Sequence, residues 1–200
     1  MLLALVAAAA LPVSGFLADP ALAAALGRAD LRPGAWAEYL VRSKIEDEAR
    51  VRITALAGES EGRCWVEIAA ASASGVAGAV RLLLRGGDVS GIERMQVLLA
   101  GQQALEVPLE RLARSRSHPP SPEVRRLGNA RVKVAAGVFE TEVQQVQGTR
   151  VWRAASVPLW GLVKARSGQR TVELLASGVS GGRSVFPAGW DHGKGSESAK

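Results

Sequence analysis

Residues 132–164 read VKVAAGVFETEVQQVQGTRVWRAASVPLWGLVK, and the fold follows from how they are parsed. A β-branched start at Val132 and Val134 is followed by a tight turn at Ala136-Gly137. A long amphipathic strand, a turn at Gly148, an aromatic strand around Trp152 and a corner from Pro158 to Gly161 come next, and the corner leads into another strand. Apolar and polar residues alternate at period two, with Gly or Pro closing each run, so the stretch is a β-meander.

The same pattern extends in both directions. Trp36 to Lys44 reads as a first strand. Arg50 to Thr54 alternates cleanly, with Val51 and Ile53 on one face and Arg50, Arg52 and Thr54 on the other, as a sheet with one wet face requires. Gly58 to Gly62 makes a turn, after which Cys64, Val66 and Ile68 share a face opposite Arg63, Trp65 and Glu67. Val80 to Arg85, a turn at Gly86-Gly87-Asp88, Ile92 to Leu99 and Thr171 to Val179 bring the count to about ten short strands. Short polar turns between successive strands imply antiparallel neighbours.

Between Gly101 and Gly128 the alternation stops. Leu105, Leu109 and Leu112 have near-helical spacing, which predicts a helical turn or two over 108–113. The run Arg114 to Pro122 can neither pair in a sheet nor continue a helix, and reads as an exposed loop. The domain expectation is a signal peptide over 1–25, one β-domain over 26–180 containing the irregular loop 101–128, and a flexible Gly-rich tail over 181–200.

The apolar start, Met1 to Val13, is too short to span a bilayer comfortably, and Ala21 and Ala23 form an A-x-A pattern resembling a signal-peptidase site. No Lys or Arg precedes the run, and a buried or amphipathic N-terminal helix is the alternative reading. Cleavage would leave a periplasmic or secreted protein with no transmembrane span. With 48% hydrophobic and 22% charged residues the chain has globular composition. Its formal charge of +6 comes from 25 Lys+Arg against 19 Asp+Glu, which favours anionic surfaces in general. Aromatic residues are 4% of the chain, too few for a stacking platform, so nucleic acid is not an expected partner. Cys64 is the single cysteine, in an apolar run that predicts a buried, inert thiol.

No catalytic constellation emerges. The two histidines, His118 and His192, lie in the Pro-rich loop and the tail, away from rigid elements that could hold a triad. Neither a nucleophile elbow nor a phosphate-binding loop is present, and the Cys/His and Asp/Asn spacings of zinc and calcium sites are missing. Glu140 and Glu142, two apart on one strand face, are the one carboxylate pair suited to acid–base work; solvated charges on an outer face are the simpler reading. No cofactor is expected. Trp36, Trp65, Trp152 and Trp160 are the candidates to line a ligand cavity, weighed against ordinary core packing.

The segments Ala136-Gly137-Val138-Phe139-Glu140-Thr141, Val151-Trp152, Val157-Pro158 and Gly161-Leu162-Val163-Lys164 resemble a pattern in exported bacterial β-proteins of the lipoprotein-sorting, outer-membrane lipoprotein carrier superfamily. The resemblance extends loosely to Gly34 through Tyr39, and Val138 stands where Thr is usual. It implies a mainly β fold: a single curved antiparallel sheet, half-barrel-like, with a small helical or loop cover over its hollow. In the relatives that hollow holds acyl chains; with no catalytic constellation in the chain, the expectation is an exported non-enzymatic protein that binds an apolar or amphiphilic ligand, lipid or lipoprotein-like, in the curved sheet. The alternative is an envelope structural or assembly protein that docks a protein partner through a sheet edge or the basic region from Arg111 to Arg126.

Overall fold

Among the described residues, period-two alternation is realised as eleven strands in one antiparallel sheet. The structure, a computed structural model, describes residues 29–44, 48–72, 75–87, 92–108 and 123–187. The strands are β1 (Trp36–Ser43), β2 (Ala49–Ala57), β3 (Arg63–Ser72), β4 (Gly75–Arg85), β5 (Ile92–Leu99), β6 (Leu105–Val107), β7 (Arg125–Val134), β8 (Gly137–Val146), β9 (Thr149–Arg153), β10 (Leu162–Ser167) and β11 (Arg170–Gly178). Their order is β6-β5-β4-β3-β2-β1-β11-β10-β9-β8-β7. Two meanders, β1–β6 and β7–β11, are thus joined along the first strand and the last.

Register places the apolar residues in rows. Ala37, Ile53, Ile68, Val80 and Val97 are paired in turn across β1 to β5, and Leu174, Tyr39, Val51 and Ala70 across β11, β1, β2 and β3. All are buried. A single sheet must bury such a face against something else. Here the 154–161 connection contributes Val157, Leu159 and Trp160, and the segment before β1 contributes Ala29 and Leu31. The latter is tied down by Ala29 N–H to the Gly87 carbonyl and Asp30 N–H to the Leu159 carbonyl, each 3.0 Å.

The sheet curls towards this apolar face. The β7–β8 ribbon runs past the end of β9, and Val132, Val134 and Phe139 at its far end join the same core. At the ribbon's tip the Ala136 N–H reaches the Leu174 carbonyl of β11 at 3.3 Å, although β8, β9 and β10 intervene in the sheet order. Right-handed twist, largest in two-stranded ribbons, accounts for that return. Among the described residues the sheet stays open, with β6 and β7 at its ends.

The expected small cover is a loop and a hairpin end; among the described residues there is no helix. Of the helical turn predicted over 108–113, only Pro108 is described. The signal-like segment 1–25, His118 and His192 also lie outside the described residues. The stretch read as the irregular loop 101–128 contains β6 and the start of β7. Residues 181–187, read as the start of a flexible tail, instead form a strap across the opposite, charged face. There a row runs Trp36, Thr54, Glu67, Arg81, Gln96, and its last four side chains are buried. Ser184 Oγ donates to Glu67 Oε2 at 2.5 Å, the Val185 N–H donates to Glu67 Oε1 at 2.8 Å, and Arg81 Nη2 donates to Ser184 Oγ at 2.9 Å. The Phe186 ring lies 4.4 Å from the Arg81 guanidinium. Burial of a charged pair is tolerable when its remaining hydrogen-bonding capacity is met, and the strap supplies both Glu67 oxygens and Arg81 Nη2 with partners.

Candidate functional site

The four tryptophans do not converge. Trp65 and Trp160 are 2% and 4% exposed. Trp65 sits on the charged face with the Arg81 and Arg94 guanidinium groups each 5.4 Å from its ring centroid. Trp160 is part of the core and borders a corner cleft. Trp36 lies under Arg52, 4.1 Å from its ring centroid, and donates Nε1–H to the Ser180 carbonyl at 3.1 Å. Trp152 lines a groove on the charged face. Two of the four therefore line a cleft, Trp160 the corner cleft and Trp152 the groove.

The corner cleft, about 680 Å³, lies between β8 and the 154–161 connection. Its shape comes from the Pro158 corner: the Val157 N–H returns to the Ala154 carbonyl at 3.1 Å, and the Ala154 N–H bonds to the Gly161 carbonyl at 2.8 Å. Leu159 and Gly161 take φ of 65° and 71°. Arg153 Nε donates to the Trp160 carbonyl at 2.9 Å, pinning the corner to β9. Apolar side chains of Val157, Leu159 and Trp160 face carboxylates of Asp30, Glu140 and Glu142 and the cations Arg32 and Arg153 across the cleft. Glu140 and Glu142, the pair weighed for acid–base work, each sit near a β7 arginine: Arg131 at 3.6 Å and Arg126 at 3.3 Å respectively.

Beside the cleft, β7 ends the sheet. Arg125 to Asn129 are all exposed, as are Arg131 and Lys133. An edge strand offers a row of backbone N–H and C=O groups to another chain. Two features restrict what can pair there. Register shifts between Arg126 and Gly128 where β7 meets β8, and bulges of this kind bend an edge. The strand also carries Arg125, Arg126, Arg131 and Lys133 and no Asp or Glu, so a second copy of the same strand would be opposed by like charge. Exposed apolar side chains are present as well: Val124 and Leu127 are 45% and 39% exposed.

The groove on the charged face, about 740 Å³, runs over the end of β8, β9, β10, β11 and the end of β1, and contains Trp152. Lys164 donates to Glu173 at 2.6 Å, and Arg42 donates to Glu48 at 2.8 Å and to Glu173 at 3.1 Å. The hydrogen bond to Glu48, foremost, raises the Arg42 pKa. Sequence reading missed the groove because its residues come from five separate strands.

No family model matches this chain, and no curated protein matches it. Among solved structures, MucB is similar with a TM-score of 0.46 and 12% identity, over 91% of this chain and 64% of that one. MucB in complex with MucA(peri) gives 0.41 and 11%, over 90% and 60%. A putative lipoprotein from Parabacteroides distasonis ATCC 8503 gives 0.40 and 7%, over 74% and 96%. The chain thus spans less than two thirds of the MucB chains. Similarity at this level assigns neither family nor function.

Proposed function

We propose that this chain is an exported, non-enzymatic docking module that takes an extended, acidic segment of an envelope protein onto the β7 edge. One observation carries the reading: a ten-residue strand at the open end of the sheet, four cations and no carboxylate along it. Strand addition gains affinity from main-chain hydrogen bonds and specificity from pockets for alternate side chains. The corner cleft, bordered by Asn129 of β7, supplies such a pocket next to the edge. The export part rests on the apolar run within residues 1–25.

The other expectation, a lipid or amphiphile in the curve of the sheet, draws less support. Ala37, Val51, Ile53, Val66, Leu84 and Leu174 on the apolar face are fully shielded, and both the corner cleft and the groove are edged by charged side chains.

The test uses an extended peptide with Glu at alternate positions, and the same peptide N-methylated at every second backbone nitrogen. The first should bind and protect β7 amides from hydrogen exchange, while the methylated one should not bind. Replacing Arg125, Arg126 and Arg131 with Glu should abolish binding of the acidic peptide. Equal binding of both peptides, or protection located elsewhere in the sheet, would refute edge docking.

A further inference from the structure

The charged face is electrostatically balanced over β1 to β5 and unbalanced over the other half. In the balanced half Arg50 and Arg52 flank Glu38, Arg63 and Arg85 share Glu93, and Arg94 lies between Glu59 and Glu106. In the other half one registered row reads Arg125, Gln145, Arg150, Arg166, Thr171, Arg42, one residue from each of β7, β8, β9, β10, β11 and β1. Registered neighbours share a face. Four guanidinium groups therefore stand in line over five strand spacings, roughly 24 Å at about 4.8 Å each.

Of the four, Arg42 has carboxylate partners. Arg125, Arg150 and Arg166 have none within ion-pair distance among the described residues. Arg150 and Arg166 stand directly opposite each other, an arrangement that destabilises an antiparallel pair. The groove along the row is lined by five cations and one carboxylate, Glu173. An opposed pair of like charges that works against folding, set in a recess lined by three further cations, is accounted for by a ligand that neutralises it.

The remaining groups describe that ligand. Trp152 is half-buried and offers an indole face beside the row, with the Arg150 guanidinium 5.9 Å from its centroid. Gln145, Gln169 and Thr171 bring amide and hydroxyl groups to the same groove. An aromatic plane suits the C–H face of a sugar ring, amides and hydroxyls suit sugar hydroxyls, and guanidinium groups pair with carboxylates in bidentate fashion. A polymer with one acid group per sugar repeats on a length close to the strand spacing. We infer that this groove binds a linear anionic glycan lying across the strands, its acid groups on Arg150 and Arg166 and a sugar ring on Trp152.

The probe is a short oligogalacturonate, titrated into the full chain at low ionic strength. Its methyl ester, poly-glutamate and phosphatidylglycerol vesicles serve as comparators. The acid form should bind, the ester should not, and poly-glutamate and vesicles should bind at least tenfold more weakly. R150Q and R166Q should each weaken binding about tenfold or more, the size of one charged hydrogen-bond contact. R50Q and R52Q in the balanced half, and R126E and R131E on the β7 edge, should leave it unchanged, which separates this site from the docking edge. W152F should retain binding that W152L loses, with thermal melting confirming that both fold. No binding of oligogalacturonate, equal binding of poly-glutamate or vesicles, or full affinity in the R150Q/R166Q double variant would each overturn the assignment.

Discussion

At Gly161 the backbone adopts φ of 71°, and a Cβ added there would stand 2.9 Å from the Ala154 carbonyl oxygen. Both the left-handed conformation and the close approach exclude a side chain, so G161A should destabilise by about 1–3 kcal/mol. Urea unfolding measures this, and a change under 0.5 kcal/mol would mean the corner relaxes freely. Cys64 gives a second residue-scale outcome. Its Sγ–H donates to the Leu56 carbonyl oxygen at 3.0 Å, and burial raises its pKa. A raised pKa means the folded state prefers the neutral thiol. That contribution is complete below the ordinary thiol pKa of about 8.5 and is lost as pH rises through the folded value. Wild-type stability should therefore fall more steeply than that of C64A above about pH 8.5, and the native thiol should resist a disulfide reagent until urea is added. Rapid modification of the native protein would contradict a shielded thiol.

Among the elements, β9 and β10 carry a liability that substitution exposes. Replacing Arg166 with Thr removes the like charge opposite Arg150 and should raise stability by roughly 0.2–1 kcal/mol, with a larger gain at low salt because screening already weakens the repulsion at high salt. A loss of stability at both salt concentrations would show that Arg166 has a favourable structural role. None of this was visible in the sequence, since it depends on register. Strand identity was readable wherever apolar and polar residues contrast: Ile92–Leu99 coincides with β5 to the residue. Only the second half of β4 was read as strand, because Gly75 to Ala79 is built of small residues with little contrast. β7 starts within what looked like a basic loop, since Arg125 and Arg126 on an exposed edge need no alternation. β6 was missed because three residues are too short to show a period, and Leu105, Leu109 and Leu112 happen to match a helical one. The candidate tryptophans were identifiable as residues, but which of them meet open space depends on curvature and on the strap.

For the whole molecule, the joint between the two meanders is decisive. β1 and β11 are the first and last strands among the described residues, so their pairing closes a long stretch of chain, from Trp36 to Gly178, an unfavourable step in entropy that slows folding. The strap adds a second link from the C-terminal meander to the N-terminal one. It leaves β11, crosses the charged face and closes over Glu67 and Arg81, both 2% exposed at the side chain. Removing one member of a buried pair leaves the other charge uncompensated, so E67Q should cost about 3–5 kcal/mol. Replacing both, as E67L with R81M, removes the desolvation cost along with the attraction and should come within about 1 kcal/mol of wild type or exceed it. If the strap acts through this pair, ending the chain after Gly181 should destabilise the wild type strongly. In the double apolar variant the same truncation should cost mainly the lost contact with Phe186. A double-mutant cycle in urea, comparing truncation in the two backgrounds, reads the coupling directly. Equal cost in both backgrounds would show that the strap stabilises through its apolar contact alone and that the buried pair sustains itself.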